Sequence, residues 1–255
     1  MKRNIPVFLI LLIGFLVIET TQIRAQAPEG TIRYLQTQNW AKMMSTLDYL
    51  SKNQRDRMMY MWGNRSEWKS YTLLHFNATE SKYEDSEEAA EPGNEGWSNR
   101  KELFFMKRNF KESTLYDGVY FLGKNYLIHD SIVPPVWKIL NDMKEVAGHI
   151  CMNASMTDTL RKQNTQVWFA LDMPVSTGPD RFIGLPGIIL EVDINNGAFV
   201  MTADKIDLKP LTTELDVPLK IKGKKIDMAE YTKLVAKQIK ERKAEEQPWF
   251  WGMRY

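Results

Sequence analysis

The sequence predicts a mainly β protein of the α+β class: an antiparallel sheet with an N-terminal helical segment and a C-terminal helix. Between residues 102 and 208, short apolar runs alternate with turn signals made of Gly, Asn, Asp and Pro. That region shows no regular alternation of strands with long helical patterns, so parallel βαβ units are not indicated. The helical patterns lie outside it, at residues 39–52 and 227–239.

The first predicted elements are a strand, a helix and a second strand. Residues 30–37 alternate between apolar and polar side chains, and Asn39 is suited to cap a helix that runs to about residue 52. Residues 68–77 return to a strand pattern. Residues 79–100 are rich in acidic side chains and contain few apolar ones, so we expect a mobile, solvated loop there.

The β-rich region is predicted to contain three strand pairs, each joined by a short turn. The turn signals are Gly123-Lys124-Asn125, Asn141-Asp142 and Asn195-Asn196-Gly197. The corresponding pairs are 115–122 with 126–130, 136–140 with 146–154, and 188–194 with 198–204. A further strand is expected at residues 167–171, and a loop rich in Gly and Pro follows at residues 174–187.

A capped helix and an aromatic tail end the chain, over residues 227–255. Asp227 followed three residues later by Glu230 forms a capping box. One face of the predicted helix is apolar, with Met228, Tyr231, Leu234, Val235 and Ile239. The tail contains Trp249, Phe250 and Trp251, which either pack back on the domain or reach a partner or a membrane surface.

Residues 1–25 have the layout of a secretory signal peptide. Lys2 and Arg3 precede an apolar run at residues 7–18, and Ala25 ends a cleavage site. A run of about twelve residues is short for a membrane span, which needs about twenty. We therefore expect an exported, periplasmic or secreted protein with a single domain at residues 26–255.

Composition limits the classes of partner and the source of stability. The full chain has a formal charge of +2, and removing residues 1–25 deletes three positive side chains and one negative, leaving zero. A neutral mature chain gives no reason to expect nucleic acid as a partner. Cys151 is the only cysteine, so no intramolecular disulfide can form and the core must stabilise the fold.

The most distinctive stretch is residues 178–192, with the sequence GPDRFIGLPGIILEV. It resembles the signature of the GLPGLI family of exported Bacteroidota proteins, although Ile188 stands where the family usually has Leu. Residues 137–139 and 146–151 resemble the segment that precedes this signature, with His149 in place of the more usual aromatic. The opening Gly30-x-Ile32-x-Tyr34 matches as well.

The resemblance implies a fold and a context but no reaction. The family has no established biochemical activity. Its members are often considered alongside outer-membrane transport systems, which is context and not mechanism, so an outer-membrane transport protein and an apolar ligand are both candidate partners. The family is also similar to a bowl-like N-terminal module of one bacterial peptide:N-glycanase. That similarity implies that the antiparallel sheet is curved, like a bowl or a half-barrel.

The centre of the signature, Gly184-Leu185-Pro186-Gly187, predicts a tightly shaped loop. Glycine permits a positive φ or a close backbone approach, and proline fixes φ. One interpretation is that the loop only positions the buried strand that follows. The other is that these four residues form the rim of a site for a ligand or a partner.

A soft-metal site is a second candidate. His149 and Cys151 are two residues apart on a predicted strand and therefore share a face, and Met152 lies beside them. Thiolate, imidazole and thioether groups together favour Cu(I), so copper is the candidate cofactor. The alternative is that Cys151 is a small buried apolar residue.

The leading functional hypothesis is a non-enzymatic exported binding or accessory protein. It would hold an apolar or extended ligand, or a partner protein, in the concave face of the sheet. The sequence contains no nucleophile elbow, phosphate loop or HExxH zinc motif. Two alternatives stay open: a copper-binding or trafficking protein, and a hydrolase of unknown substrate.

Overall fold

The computed structural model describes residues 28–61, 67–91 and 102–255. The predicted signal peptide and residues 92–100 of the predicted acidic loop lie outside the described residues. Within the described ranges the chain is mostly β, and its strands form one open sheet of twelve. The strands are β1 Gly30–Asn39, β2 Glu67–Phe76, β3 Glu80–Asp85, β4 Phe104–Asn109, β5 Thr114–Phe121, β6 Lys124–Ser131, β7 Lys138–Val146, β8 His149–Asp158, β9 Gln163–Ala170, β10 Ile188–Ile194, β11 Phe199–Asp207 and β12 Lys224–Ile226.

Three helices accompany the sheet in the described residues: α1 Trp40–Ser45, α2 Lys52–Met61 and α3 Met228–Ala244. The predicted caps are confirmed. The Asn39 side chain accepts a hydrogen bond from the Lys42 amide, and the Asp227 side chain accepts one from the Glu230 amide. The predicted helix at residues 39–52 ends earlier than expected, at Ser45, and α2 starts at Lys52. No described helix is both long enough and apolar enough to cross a bilayer.

The sheet is curved, as its strand order and contacts show. The order is β12-β6-β5-β4-β3-β2-β1-β11-β10-β9-β8-β7, so β6 and β8 lie nine positions apart. In a flat sheet, nine spacings of about 4.8 Å would separate them by about 43 Å. Nevertheless Asp130 of β6 and Asp158 of β8 line one cleft. The two halves of the sheet therefore bend towards each other, and the predicted curved sheet is confirmed. Its strand pairs are antiparallel except that of β12 with β6.

The concave face carries the buried side chains. Ile32 and Tyr34 of β1 are fully buried there, and the Tyr34 hydroxyl donates a 2.7 Å hydrogen bond to the Ile189 carbonyl of β10. The loop between β9 and β10 also lies inside, since Phe182 is fully buried. α3 covers part of the same face, because Tyr231 packs edge-on against Phe121. The loop between β9 and β10 and helix α3 therefore cover most of the concave face.

The predicted turn at Asn141-Asp142 is wrong. Residues 138–146 form the single strand β7, and the chain reverses instead at Ala147 and Gly148, which have φ angles of 49° and 84°. Two consecutive positive φ angles suit a tight hairpin. Asn141 and Asp142 lie in an irregular part of β7, where the register shifts between Ile139 and Met143.

Part of the predicted mobile loop is also a strand, because Glu80–Asp85 forms β3. Tyr83 is buried and packs edge-on against Tyr34 and Phe104. Lys82 is buried on the other face, where its ammonium group donates to the Asp216 carbonyl and pairs with Glu84. Polar side chains with satisfied hydrogen bonds allow an acidic segment to occupy the middle of a sheet.

The aromatic tail packs back on the domain. Trp249 and Phe250 are each 4% exposed, and the Trp249 ring stacks on Tyr255 at 5.5 Å. The Phe250 ring lies 6.1 Å from that of Trp40 in α1. Of the two alternatives for residues 249–251, membrane contact through Trp249 and Phe250 is therefore wrong, since burial leaves them no surface to offer.

We predict that Trp249→Ala lowers the free energy of unfolding by about 3–5 kcal/mol, because it removes a large buried side chain and leaves a cavity. Urea denaturation followed by circular dichroism measures the change. Tyr60→Ala is the control, since Tyr60 is 87% exposed, and its effect should stay within about 0.5 kcal/mol. Equal, small effects of the two substitutions would contradict the burial of Trp249.

Candidate functional site

A cleft of about 340 Å³ opens on the concave face, where the two halves of the sheet meet. We call it the concave cleft. Its volume lies at the lower end of the range for small-molecule sites. Seven of its twelve lining residues are apolar and five are polar. They are Leu115, Ile132, Val133, Pro135, Met156, Ile183 and Met228, and Arg108, Asp130, Ser131, Asp158 and Arg181.

Four parts of the chain bring these residues together. One wall comes from β4, β5 and β6 with the segment that follows β6, and the opposite wall comes from the end of β8. The loop between β9 and β10 supplies Arg181 and Ile183, and the first residue of α3 supplies Met228. Residues far apart in the sequence therefore share the cleft only because the sheet curves.

A buried ion pair lies at one side of the concave cleft. The guanidinium of Arg108 donates to both carboxylate oxygens of Asp117, and the two side chains are 6% and 3% exposed. Arg108 also donates to the Lys107 carbonyl at 2.9 Å. Burial raises the pKa of Asp117, while the charge of Arg108 acts in the opposite direction. Two charges removed from water need such mutual pairing.

Arg181 is the cleft residue with unused hydrogen-bonding capacity. Its Nη2 donates to Gln163 Oε1 at 2.8 Å, and its Nη1 lies 3.6 Å from Asp180 Oδ2. Its Nε is buried and has no hydrogen-bond partner among the described residues. Burial and the neighbouring charge of Arg161 lower the pKa of Arg181. This Nε does not face the cleft, but the Arg181 guanidinium lines it and would attract an acceptor placed there.

Two carboxylates of the cleft are already engaged. Asp130 accepts a 3.0 Å hydrogen bond from the Met228 amide at the start of α3, and that bond lowers its pKa. Burial acts to raise the pKa of Asp158, but hydrogen bonds and the charge of Arg161 lower it overall. Both groups are thus held ionised by the protein's own donors.

The loop between β9 and β10, residues 171–187, contains the Gly184-Leu185-Pro186-Gly187 signature, and we call it the motif loop. Its role is mainly in packing. Leu185 and Gly187 are buried, whereas Gly184 and Pro186 are exposed. A Cβ on Gly187 would lie 2.0 Å from the Ala170 carbonyl oxygen. Gly184 has a φ of +97°, and a Cβ there would lie 2.6 Å from Pro134 Cβ. The four residues predicted as a binding rim do not line the concave cleft, but Ile183 and Arg181 just before them do.

Hydrogen bonds fix this loop to both halves of the sheet. The Thr177 hydroxyl donates to Ser81 of β3 at 2.9 Å, and the Ile189 amide of β10 donates to the Thr177 carbonyl. Near the cleft, the Trp137 indole donates to the Ile183 carbonyl at 2.8 Å. The loop therefore ties the walls of the cleft together and determines where Ile183 lies.

The predicted soft-metal residues do not converge. His149 Nδ1 lies 2.7 Å from Asp172 Oδ2, so the carboxylate already engages it. Cys151 is fully buried, and burial together with the charge of Asp172 raises the pKa of its thiol to about 11. Met152 follows Cys151 directly in β8 and therefore lies on the opposite face of the strand. Within the described ranges, no group of three or more His, Cys, Asp and Glu side chains could hold a metal ion.

A second, more open depression lies on the outer face of the sheet and has a volume of about 460 Å³. Lys138, Ser155, Gln166 and Asp193 lie in register across four neighbouring strands and form its floor. Val136 and Asn196 stand at its sides. Eight of its ten lining residues are polar, and it shares Met156 with the concave cleft.

Comparison with known proteins gives a short family match. A family model described as "Protein of unknown function (Porph_ging)" matches residues 158–191. That segment contains Asp158, Arg181 and Ile183 of the concave cleft together with the motif loop. No curated protein matched the chain.

Solved structures give a likeness of fold. Two structures of PNGF-II, in space groups C2 and P21, are 12% and 13% identical to this chain, with TM-scores of 0.52 and 0.53. They cover 81% and 82% of this chain, which spans 32% and 33% of those longer chains. An uncharacterized conserved protein from Thermus thermophilus is 8% identical, with a TM-score of 0.32, and covers 77% of this chain and 90% of its own. The PNGF-II likeness concerns the fold.

Sequence reasoning missed the polar residues in and beside the cleft. Arg108 and Asp117 lie in strands. The alternation of apolar and polar residues along these strands does not by itself predict that their charged side chains are buried. The available signal was their position: Arg108 pairs with Leu115, and Asp117 with Ile128, both of which are buried. Charged residues in register with apolar neighbours indicate a buried polar cluster.

We predict that Cys151 is unreactive in the folded protein. With a thiol pKa of about 11, only about one molecule in a thousand is a thiolate at pH 8. Alkylation by iodoacetamide at pH 8 should be at least about a hundredfold slower than in urea-unfolded protein, where the pKa returns to about 8.5. The folded-state rate should rise about tenfold per pH unit. A folded-state rate within about tenfold of the unfolded rate would contradict this.

We also predict that Asp117→Ala destabilises the protein by about 3–5 kcal/mol, because it leaves the Arg108 charge buried and unpaired. The double variant Arg108→Met/Asp117→Leu removes both charges and should recover most of that loss. Urea denaturation measures both variants. A double variant as unstable as the single one would show that the charge pair is not the cause.

Proposed function

We propose that the protein is an exported, non-enzymatic binding protein that holds a small ligand in the concave cleft. The ligand would have an apolar body and one end that carries hydrogen-bond acceptors. The single observation that carries this proposal is the lining of the cleft, where seven apolar residues surround a few fixed polar groups. That combination is typical of sites that bind small molecules.

The polar groups suggest how the ligand is oriented. Asp117 already satisfies Arg108, and the start of α3 already engages Asp130. The guanidinium of Arg181 lines the cleft, and its Nη1 lies no closer than 3.6 Å to the Asp180 carboxylate. We therefore place the acceptor end of the ligand beside Arg181 and the apolar body between Leu115, Met156 and Ile183.

Membership of the GLPGLI family is part of the proposal. The match at residues 158–191 supports only a family of unknown function over a short segment. The finer assignment rests on the sequence from Gly184 to Ile188 and on its order after residues 137–151. Export rests on the layout of residues 1–25, and an accessory role beside an outer-membrane transport protein rests on the family resemblance.

A neutral fluorescent probe tests the cleft directly. N-phenyl-1-naphthylamine should bind the protein with one-to-one stoichiometry and gain fluorescence in the apolar cleft. Val133 lines the mouth of the cleft and is 84% exposed, so Val133→Asp should leave the fold intact. A carboxylate there should weaken probe binding by about tenfold, which corresponds to about 1.4 kcal/mol.

Val136→Asp is the matched control, since Val136 is 91% exposed and lines the outer depression instead. Its probe affinity should equal that of the unchanged protein. Equal affinities of all three proteins, or no binding at all, would contradict the proposal. Native mass spectrometry of protein isolated from the periplasm would then show whether a natural ligand is retained and identify its mass.

A further inference from the structure

One end of the sheet carries a cluster of lysines, which we call the basic rim. It consists of Lys124 at the start of β6 and of Lys220, Lys222 and Lys224 in the segment that leads into β12. All four side chains are exposed. Among the described residues, none of the four forms an ion pair with a carboxylate, whereas several other lysines do.

Backbone contacts hold the two parts of the basic rim side by side. The Asn125 side chain donates a 3.2 Å hydrogen bond to the Lys222 carbonyl. Gly223 packs closely on β6, since a Cβ there would lie 3.0 Å from Leu127 Cγ. β12 then pairs in parallel with β6, with Lys224 opposite Tyr126. The lysines therefore gather because of the fold and not because of sequence proximity alone.

Two exposed leucines stand among these lysines. Leu219, directly before Lys220, is fully exposed, with a relative exposure of 101%. Leu122, two residues before Lys124, is 43% exposed. Lysines on an edge strand protect it from pairing with other sheets, which accounts for Lys224 and its neighbour Lys225. Edge protection does not account for Leu219 or for Lys220 and Lys222, which precede the strand.

We propose that the basic rim binds the surface of an anionic lipid bilayer. Four unpaired ammonium groups would face lipid phosphates, and the side chain of Leu219 would enter the interfacial layer. Each lysine close to an anionic bilayer increases binding by roughly fivefold, so a cluster of four is sufficient for reversible attachment. Insertion of the apolar Leu219 side chain into the bilayer interface adds hydrophobic binding energy to the electrostatic attraction of the lysines.

Leu219 distinguishes a lipid surface from other polyanions. An acidic protein or a nucleic acid would be attracted by the same lysines, but a fully solvated leucine gains little from a polar polymer. Burial of that leucine in a bilayer interface removes its apolar surface from water. This inference uses residues that do not line the concave cleft, so it stands independently of the proposed ligand.

Vesicle co-sedimentation tests the proposal. The purified protein is mixed at low salt with vesicles of phosphatidylcholine alone, or of phosphatidylcholine with about 30% phosphatidylglycerol. We expect binding to the anionic vesicles only, and its loss at about 0.5 M salt, because salt screens surface charges. The variant Lys124→Gln/Lys220→Gln/Lys222→Gln/Lys224→Gln should bind at least about tenfold more weakly, and Leu219→Ser several-fold more weakly.

The matched control changes net charge equally at other exposed positions. It is the variant Lys52→Gln/Lys111→Gln/Lys138→Gln/Lys205→Gln, whose lysines lie elsewhere on the molecule. It should bind clearly better than the rim variant. Equal loss in the two variants would overturn the proposal, as would binding that Leu219→Ser leaves unchanged. Binding to soluble heparin without binding to the anionic vesicles would also overturn it, in favour of a polyanionic partner.

Discussion

Curvature of the sheet is the constraint on which the other features depend. Twelve strands in one flat layer would leave their apolar face open to water, because the three described helices are too few to cover it. Bending brings β6 and β8 together, and the loop between β9 and β10 fills the space between them. The hydrogen bond from Tyr34 to Ile189 and the buried pair of Arg108 and Asp117 belong to this enclosed side.

The motif loop links this curvature to the candidate site. Thr177 connects the loop to β3 in one half of the sheet, while Trp137 holds Ile183 beside the cleft. Gly184 and Gly187 are required at their positions because Pro134 and the Ala170 carbonyl leave no room for a Cβ. The same residues that pack the interior therefore set the width of the cleft.

The sequence predicted those elements whose signals are local. The caps at Asn39 and Asp227 and the hairpin around Asn195-Asn196-Gly197 are confirmed, because turn and cap chemistry acts within a few residues. The turn at Asn141-Asp142 was wrong because pairing of β7 with β8 overrode a local preference. β3 was missed because Tyr83 is its only large apolar residue, and its Ser81 and Lys82 are buried through distant partners. The cleft was missed because its walls come from distant parts of the chain, which meet only through the curvature of the sheet.

β6 relates the two proposed sites to each other. It begins at Lys124 in the basic rim and ends at Ser131, which lines the concave cleft. About seven residue steps at about 3.4 Å place the two sites about 24 Å apart. Attachment to a bilayer through the rim would therefore leave the cleft on the aqueous side, beyond the headgroup layer. A ligand would then reach the cleft from water or from a neighbouring protein, and its acceptor-bearing end would give it the solubility that such a route requires.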